Sequence, residues 1–125
     1  MARILIAEDD RASSRLLDYR LKGLGHETII VVNGGEALKT ATKEKPDLIL
    51  LDIMMPIMSG FQVLKKLKLQ EETHKIPIIL LTAKTQEKDI VSGIESGATD
   101  YVTKPFSFAE LNARLNRALA SRPQS

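Results

Sequence analysis

The sequence predicts an α/β fold built around a parallel sheet. Two mostly apolar runs, 47–52 and 76–81, are typical of strands buried on both faces, as in a parallel sheet covered by helices. Five strand-like segments alternate with five segments of helical periodicity, the order expected of right-handed βα units. With 125 residues, the chain has room for one such domain and not for two.

The predicted strands are short, and most are followed at once by polar residues. The first runs straight into three acids, and the third ends in Asp52. The second strand ends without such a residue, which suits an edge strand. The predicted strands are 3–7, 26–32, 47–52, 76–81 and 99–102.

Apolar spacing and capping residues predict the helices. The first covers 11–24, the third covers 60–69, and the second ends before Pro46. The predicted N-caps are Asp10, Asn33, Ser59 and Ser107, with Glu36 and Glu110 completing two capping boxes. The apolar faces comprise Ala12, Leu16, Leu17, Leu21 and Leu24; Ala37, Leu38 and Ala41; Phe61, Leu64 and Leu67; Ile90, Val91 and Ile94; and Leu111, Leu115, Ala118 and Leu119.

Composition narrows the classes of function. The chain has no cysteine and only two histidines, which excludes a disulfide framework or thiolate site and disfavours a histidine zinc site. The net charge is +2 with dispersed lysines, so direct nucleic-acid binding is not expected. We see neither a membrane span nor a signal peptide, and we expect a cytoplasmic protein.

Polar residues follow four of the predicted strands. They are Glu8 and Asp9 after the first strand, Asp52 at the end of the third, Thr82 after the fourth and Lys104 after the fifth. Parallel strands direct their carboxyl ends to one edge of the sheet, where ligands bind. The sequence therefore predicts one site that collects an acid pair, a lone aspartate, a hydroxyl and an ammonium group.

This residue set suits phosphoryl transfer assisted by a metal ion. Three close carboxylates stay ionised only if cations compensate them. Mg²⁺ prefers oxygen ligands and is often held by carboxylates together with substrate phosphate. A carboxylate beside Mg²⁺, with a lysine and a hydroxyl to hold the transferred oxygens, can act as the nucleophile. Asp52 is the candidate for an aspartyl phosphate.

At these residues the chain resembles a response-regulator receiver domain of the CheY-like family. The resemblance covers about residues 3–120 and is carried by Glu8-Asp9, Asp52 with Met54-Met55-Pro56 and Ser59-Gly60, Leu81-Thr82-Ala83, and Tyr101-Val102-Thr103-Lys104-Pro105-Phe106. It implies a single receiver domain over 1–125 with a tail at 121–125. The implied fold is a doubly wound (βα)5 flavodoxin-like three-layer sandwich with strand order 2-1-3-4-5.

The resemblance also implies a role for each site residue. Asp52 would be the phosphoacceptor, assisted by Thr82 and Lys104. The metal, Mg²⁺ or Mn²⁺, would be bound by Asp9, Asp52 and the backbone carbonyl of Met54, with Glu8 acting largely through water. Thr82, Ala83 and Lys104 would hold the phosphate, Thr82 and Tyr101 would form the switch, and Lys104-Pro105 would be a cis peptide.

Partners follow from the same resemblance. The donor would be a histidine kinase or a histidine phosphotransfer protein, docked by Arg11, Ser14 and Arg15 and by the Pro105-Phe106 loop. The output face, which includes Ile90, Val91, Glu95 and Tyr101, would signal to a protein effector or a fused output domain. The chain would act as a monomer or a phosphorylation-dependent dimer, without contacting nucleic acid or membrane directly.

Met54 and Lys84 occupy positions that in this family tune hydrolysis of the acyl phosphate. Met54 has no group that could orient an attacking water, so we expect a longer phosphorylated lifetime than in receivers with a polar residue there.

Two other classes of function compete with a phosphoacceptor domain. A Mg²⁺-dependent phosphatase with an aspartate nucleophile is disfavoured because Glu8-Asp9-Asp10 lacks the threonine-bearing loop that follows in such enzymes, and no cap domain is present. A nucleotide-binding or purely structural flavodoxin-like domain is disfavoured because no glycine-rich phosphate loop follows the first strand. We therefore expect a signalling domain that catalyses its own phosphorylation and dephosphorylation, and not an enzyme with an external substrate.

Overall fold

The structure is a computed structural model that describes residues 2–83, 91 and 93–121. Five parallel strands form one sheet in the order β2-β1-β3-β4-β5, so the predicted α/β class and strand order are confirmed. The second strand lies at an edge, as expected. The strands are β1 (Arg3–Ala7), β2 (Glu27–Val31), β3 (Leu48–Asp52), β4 (Ile78–Ala83) and β5 (Asp100–Lys104).

Four helices have both ends within the described residues: α1 (Arg11–Gly23), α2 (Gly34–Glu44), α3 (Gly60–Leu69) and a C-terminal helix (Phe108–Ala120). Of the predicted fourth helix, residues 91 and 93–95 are helical. Lys84 and Ile90, like most of the predicted tail, lie outside the described residues.

Each predicted N-cap accepts a hydrogen bond from a backbone N–H in the first turn of its helix. Ser59 forms a complete capping box with Gln62, and hydrogen bonds from Ser13 lower the pKa of Asp10. Asn33 bonds to Glu36 through its side-chain amide as well as through its acceptor oxygen. Because these caps satisfy N–H groups that the helix cannot pair, they fix where each helix begins.

Two strands extend further along the chain than predicted. β4 runs on through Thr82 to Ala83, and β5 runs on to Lys104. Apolar periodicity marks only the buried part of a strand, whereas ladder hydrogen bonds continue through polar residues. Thr82 and Lys104 are therefore held by the sheet itself and do not lie in loops.

The core consists of two apolar clusters, one on each face of the sheet. Leu5, Leu51 and Leu80 belong to the cluster beneath α2 and α3, while Ile6 and Leu50 belong to the cluster beneath α1 and the C-terminal helix. Successive side chains on a strand point to opposite faces of the sheet, so residues two positions apart lie on the same face. Within the described residues, no helix is long and apolar enough to cross a membrane.

The predicted apolar face of α1 is partly wrong. Leu17 and Leu21 are buried with Ser14, but Leu16 is 57% exposed and Leu24 is also exposed. Only the narrow stripe at positions 14, 17 and 21 meets the sheet, because α1 packs on one side only. In α3, Val63 is buried although it was not predicted to lie on the apolar face. Phe61, which was predicted to lie there, is only half-buried.

Candidate functional site

The carboxyl edge of the sheet brings the three predicted acids together. Glu8 follows β1, Asp9 is next to it, and Asp52 is the last residue of β3. One carboxylate oxygen from each lies within 4.8 Å of the other two. Glu8 and Asp52 are buried and Asp9 is exposed, so the cluster opens to solvent on one side. An all-oxygen set of this kind matches the ligands that Mg²⁺ prefers.

Lys104, at the end of β5, bridges two of these acids. Its Nζ donates to Asp52 Oδ2 at 3.0 Å and also to Glu8 Oε1. Ile6, Leu50 and Val102 belong to one core cluster and so lie on the same face of the sheet. Side chains two positions apart on a strand share a face, so Glu8, Asp52 and Lys104, each two positions further on, lie on that face as well. The sequence predicted that Lys104 would be near Asp52, but not that it also pairs with Glu8.

Burial and neighbouring charges shift the pKa values of this cluster. Burial, together with a hydrogen bond and charge repulsion from Asp52, raises the pKa of Glu8 from 4.5 to about 7, although Lys104 opposes the shift. Burial is the largest effect on Lys104 and lowers its pKa, but hydrogen bonds and charges from Glu8 and Asp52 outweigh it and leave the pKa raised. The site therefore carries more negative charge than a single ammonium group compensates.

The loop after Asp52 is fixed to the carboxylate of that residue. The Met54 N–H donates to Asp52 Oδ1 at 3.1 Å, and the Gly60 N–H donates to the Ile53 carbonyl at 2.9 Å. A Cβ at Gly60 would lie 2.4 Å from the Asp52 carbonyl oxygen, so only glycine lets α3 begin so close to β3. This loop sets the orientation of the Asp52 carboxylate. That the Met54 carbonyl binds metal remains a prediction.

Thr82 and Tyr101 lie on the opposite face of the sheet from Lys104. Leu81 pairs with Asp52, and Thr82 is the next residue along β4. Leu80 pairs with Tyr101, so Thr82 and Tyr101 point to the same side of the sheet. The Thr82 side chain is buried and its hydroxyl donates weakly to the Ala83 carbonyl at 3.4 Å.

A groove of about 530 Å³ opens beside the site, between α1 and the loop after β5. It is lined by Ser13, Leu16, Leu17, Arg20, Lys104, Pro105, Phe106 and Phe108. The Arg20 guanidinium lies 5.2 Å from the centroid of the Phe108 ring. The Lys104-Pro105 peptide bond is cis, as expected. Sequence reasoning missed Arg20 and Phe108 as groove residues, and assigned Leu16 to the core, because helical spacing alone does not separate a core stripe from a groove lining.

An ion-pair cluster beside Tyr101 was also not predicted. The buried carboxylate of Asp100 accepts from Arg114 at 2.7 Å and from Arg117 at 2.5 Å, and both arginines belong to the C-terminal helix. Arg114 also lies 5.7 Å from the Tyr101 ring centroid. The only signal in the sequence was the spacing of the two arginines on one side of the helix.

Comparison with known proteins agrees with this geometry. The chain matches the family described as response regulator receiver domain over residues 4–116. The chain belongs to this family, and its fold is the flavodoxin-like CheY fold.

Two curated relatives and one solved structure illustrate the match. The alkaline phosphatase synthesis transcriptional regulatory protein PhoP of Bacillus subtilis is 47% identical over 117 residues, covering 94% of this chain and 48% of PhoP. Protein PilH of Pseudomonas aeruginosa is 42% identical, with 96% of this chain and 99% of PilH covered. The receiver domain of the P. aeruginosa sensor histidine kinase PA1611, solved with a magnesium ion in its active site cleft, superposes with a TM-score of 0.89 at 32% identity, covering 96% of this chain and 98% of that one.

The relatives differ in length. This chain spans about half the length of PhoP and of several other curated relatives, but nearly all of PilH.

Proposed function

We propose that this receiver domain is a phosphoacceptor in which Asp52 takes a phosphoryl group from a phosphohistidine. The observation that carries the proposal is the contact of Lys104 with both Asp52 and Glu8 inside a cluster of three carboxylates. An Asp52 carboxylate oxygen attacks the phosphorus, the phosphorus–nitrogen bond breaks, and the electron pair leaves with the imidazole. The product is an acyl phosphate on Asp52.

The three carboxylates of this site fit Mg²⁺, which prefers oxygen ligands. Asp9 and Asp52 would bind it directly with the Met54 carbonyl, and Glu8 would act largely through water; Mn²⁺, which takes similar ligands, would substitute. When bound, the ion neutralises the carboxylates and the oxygens of the transferred group. Lys104 donates to the Asp52 carboxylate, and Thr82 and Ala83 would complete the phosphate contacts.

Intact-mass measurement tests the phosphoacceptor role. After incubation with acetyl phosphate and Mg²⁺, the wild type should gain one phosphate and the Asp52→Asn variant none. A wild type that stays unmodified, or a variant that is modified equally, would contradict the proposal. Turnover of an added phosphomonoester would instead favour the phosphatase alternative.

The donor is proposed to be a histidine kinase or a histidine phosphotransfer protein that docks in the groove beside α1. The groove reaches Lys104 at the site and presents the exposed Leu16 side chain together with Phe106. Arg11 and Arg15 lie exposed on α1 as well, whereas Ser14, also predicted to contact the donor, is buried and would do so only indirectly. A Leu16→Asp variant should lose transfer from a protein donor and keep modification by acetyl phosphate.

Thr82 and Tyr101 are proposed to form the switch. Their shared face supports this, because a phosphoryl group on Asp52 would draw the Thr82 hydroxyl towards it and free space for the Tyr101 ring to turn inward. The contacts of Arg114 with Tyr101 and Asp100 would pass the change to the C-terminal helix and to an effector protein, an output domain or a second copy. Tyr101 ring resonances should shift on phosphorylation of the wild type and shift much less in Thr82→Ala.

The phosphorylated lifetime is proposed to be long. The Met54 side chain is 64% exposed and carries no group that could orient an attacking water. Dephosphorylation in Mg²⁺ buffer should be slower than in a Met54→Asn variant. Loss of the phosphoryl group within seconds in the wild type would contradict this.

A further inference from the structure

Methionines are the side chains of this chain that a peroxide can modify. The sequence has no cysteine, and its four methionines are Met1, Met54, Met55 and Met58. Without a thiol to compete, the thioether sulfur of methionine is the group that a two-electron oxidant attacks. Three of the four methionines lie in the loop between β3 and α3, close behind Asp52.

Exposure separates Met54 from its neighbours in this loop. The Met54 side chain is 64% exposed, whereas Met55 and Met58 are partly buried and pack against the core cluster beneath α2 and α3. Met1 lies outside the described residues. Because oxidation requires access of the oxidant to the sulfur, Met54 is the methionine of this loop that peroxide should reach first.

The backbone holds Met54 beside the carboxylate of Asp52. Its N–H donates to Asp52 Oδ1 at 3.1 Å, so its Cα lies within about 4.6 Å of that oxygen. Further along the loop, Ile57 has a φ of +71°, which is strained for a β-branched residue. A Cβ at Gly34 would lie 1.8 Å from the Met58 carbonyl oxygen, so the start of α2 is in backbone contact with the loop and enforces this strain. Oxidation of an exposed sulfur leaves these backbone contacts in place.

We propose that Met54 is a modification site at which a peroxide forms methionine sulfoxide, and that the sulfoxide shortens the lifetime of the phosphoryl group on Asp52. With hydrogen peroxide, the sulfur lone pair attacks one oxygen, the oxygen–oxygen bond breaks, and the departing hydroxide takes the proton of the transferred oxygen to give water. The sulfur is oxidised by two electrons and the peroxide is reduced by two. The effect on the lifetime rests on the proposed function, whereas the oxidation itself does not.

The sulfoxide places a hydrogen-bond acceptor where the thioether offers only a weak one. An acceptor beside the acyl phosphate can orient a water for attack on the phosphorus, as the side chain of Met54→Asn is expected to do. Hydrolysis should become about five-fold faster, the factor that one neutral hydrogen bond in the transition state supplies. Peroxide would thus shorten the signal, and a methionine sulfoxide reductase, which restores the thioether, would lengthen it again.

The first measurement locates the oxidation. The unphosphorylated protein is treated with limiting hydrogen peroxide and digested, and the gain of one oxygen at each methionine is followed by fragment mass. Met54 should be oxidised at least about three-fold faster than Met55 and Met58, because its sulfur is the more accessible. Equal rates at the three residues, or a slower rate at Met54, would overturn the inference without affecting the phosphoacceptor role.

The second measurement follows the lifetime in the wild type and in Met54→Leu. Untreated and peroxide-treated samples are phosphorylated with acetyl phosphate, freed of the donor, and compared by the rate at which the phosphorylated mass disappears in Mg²⁺ buffer. Oxidation of the wild type should speed this loss about five-fold, and sulfoxide reductase should reverse the change. Met54→Leu cannot form the sulfoxide but keeps Met55 and Met58, so its own rate should be the same before and after peroxide.

A Met54→Gln variant separates the polar group from the oxidation. Glutamine carries a neutral acceptor oxygen, so this variant should lose the phosphoryl group faster than Met54→Leu without any oxidant. The effect on the lifetime is refuted by an unchanged rate in the oxidised wild type, by an equal response of Met54→Leu to peroxide, or by a Met54→Gln variant no faster than Met54→Leu. If acetyl phosphate does not modify the wild type at all, the proposed function itself fails.

Discussion

At the scale of single residues, the site places one ammonium group among three carboxylates, so its negative charge is not fully compensated. Lys104 donates to Glu8 and Asp52, while Asp9 adds a third carboxylate nearby. Burial, together with the hydrogen bond and charge of Asp52, raises the free energy of the ionised form, which is why the pKa of Glu8 is raised to about 7. This uncompensated negative charge suits the proposed metal ion and phosphoryl group, and it lowers the stability of the metal-free fold.

Glu8 should make the stability of the metal-free protein depend on pH. Its folded pKa of about 7 lies above the unfolded 4.5, so folding favours the protonated form. The resulting stabilisation is fully present below pH 4.5 and is lost as pH rises through 7, by at most about 3 kcal/mol. Lys104, whose pKa is raised above 10.5, loses its contribution only at higher pH.

Urea unfolding in EDTA from pH 4.5 to 8 checks this expectation. Because other groups also titrate, the informative quantity is the difference between the wild type and Glu8→Gln, which should shift in favour of the variant as pH rises. A constant difference across the range would show that Glu8 does not titrate there.

Asp52→Asn should not destabilise the metal-free protein. Asparagine keeps the shape and acceptor oxygen of the side chain, removes its charge repulsion with Glu8, and leaves Lys104 paired with Glu8. We expect the free energy of unfolding in EDTA at pH 7 to rise by about 1 kcal/mol. Thermal unfolding of both proteins in EDTA measures it, and a variant less stable than the wild type would contradict the charge balance described above.

At the scale of elements, the contacts between loops and helix starts hold the site in place. Caps fix the first turns of α1, α2 and α3, and the loop after β3 packs its backbone against Gly34 at the start of α2. These contacts leave the loop little freedom, so strain at one residue is carried by the whole segment.

Relieving that strain should stabilise the fold. In Ile57→Asn the backbone keeps its positive φ at lower cost, and the exposed side chain gives up few contacts. The free energy of unfolding should rise by about 1 kcal/mol, or roughly 4 °C in Tm. Chemical denaturation checks the value, with Leu69→Asn expected to change it by less than about 0.5 kcal/mol. A destabilised Ile57→Asn would mean that the isoleucine side chain supports the loop after all.

At the scale of the whole molecule, the sequence predicted the sheet and the placement of most site residues because both follow from one regularity. Apolar runs ending in polar residues mark parallel strands, and the fold then collects those ends at one edge. The second contact of Lys104, the exposure of Leu16 and the positive φ of Ile57 depend instead on side-chain reach, helix rotation and backbone contact between distant segments. Local patterns in a sequence do not report those properties.

Because the acids of the site come from β1 and β3 in the middle of the sheet, a metal bound there should stabilise the entire domain and not only one loop. A ligand that binds only the folded state stabilises it by RT ln(1 + [L]/Kd), which is about 2.7 kcal/mol at a hundred times Kd. Titration of Mg²⁺ into EDTA-treated protein should therefore raise Tm continuously. The m-value should stay unchanged, because the surface exposed on unfolding stays the same.

Ca²⁺ and Asp52→Asn provide the controls for that titration. Asp52→Asn loses a carboxylate ligand, so its Tm should rise much less at the same Mg²⁺ concentration, even though its metal-free stability is the higher of the two. Mg²⁺ is octahedral and keeps several of its waters, whereas Ca²⁺ takes roughly six to eight oxygen ligands, so a site with three carboxylates should stabilise the wild type less with Ca²⁺ than with Mg²⁺. An equal response of the two proteins to Mg²⁺ would place the stabilising ion away from Asp52.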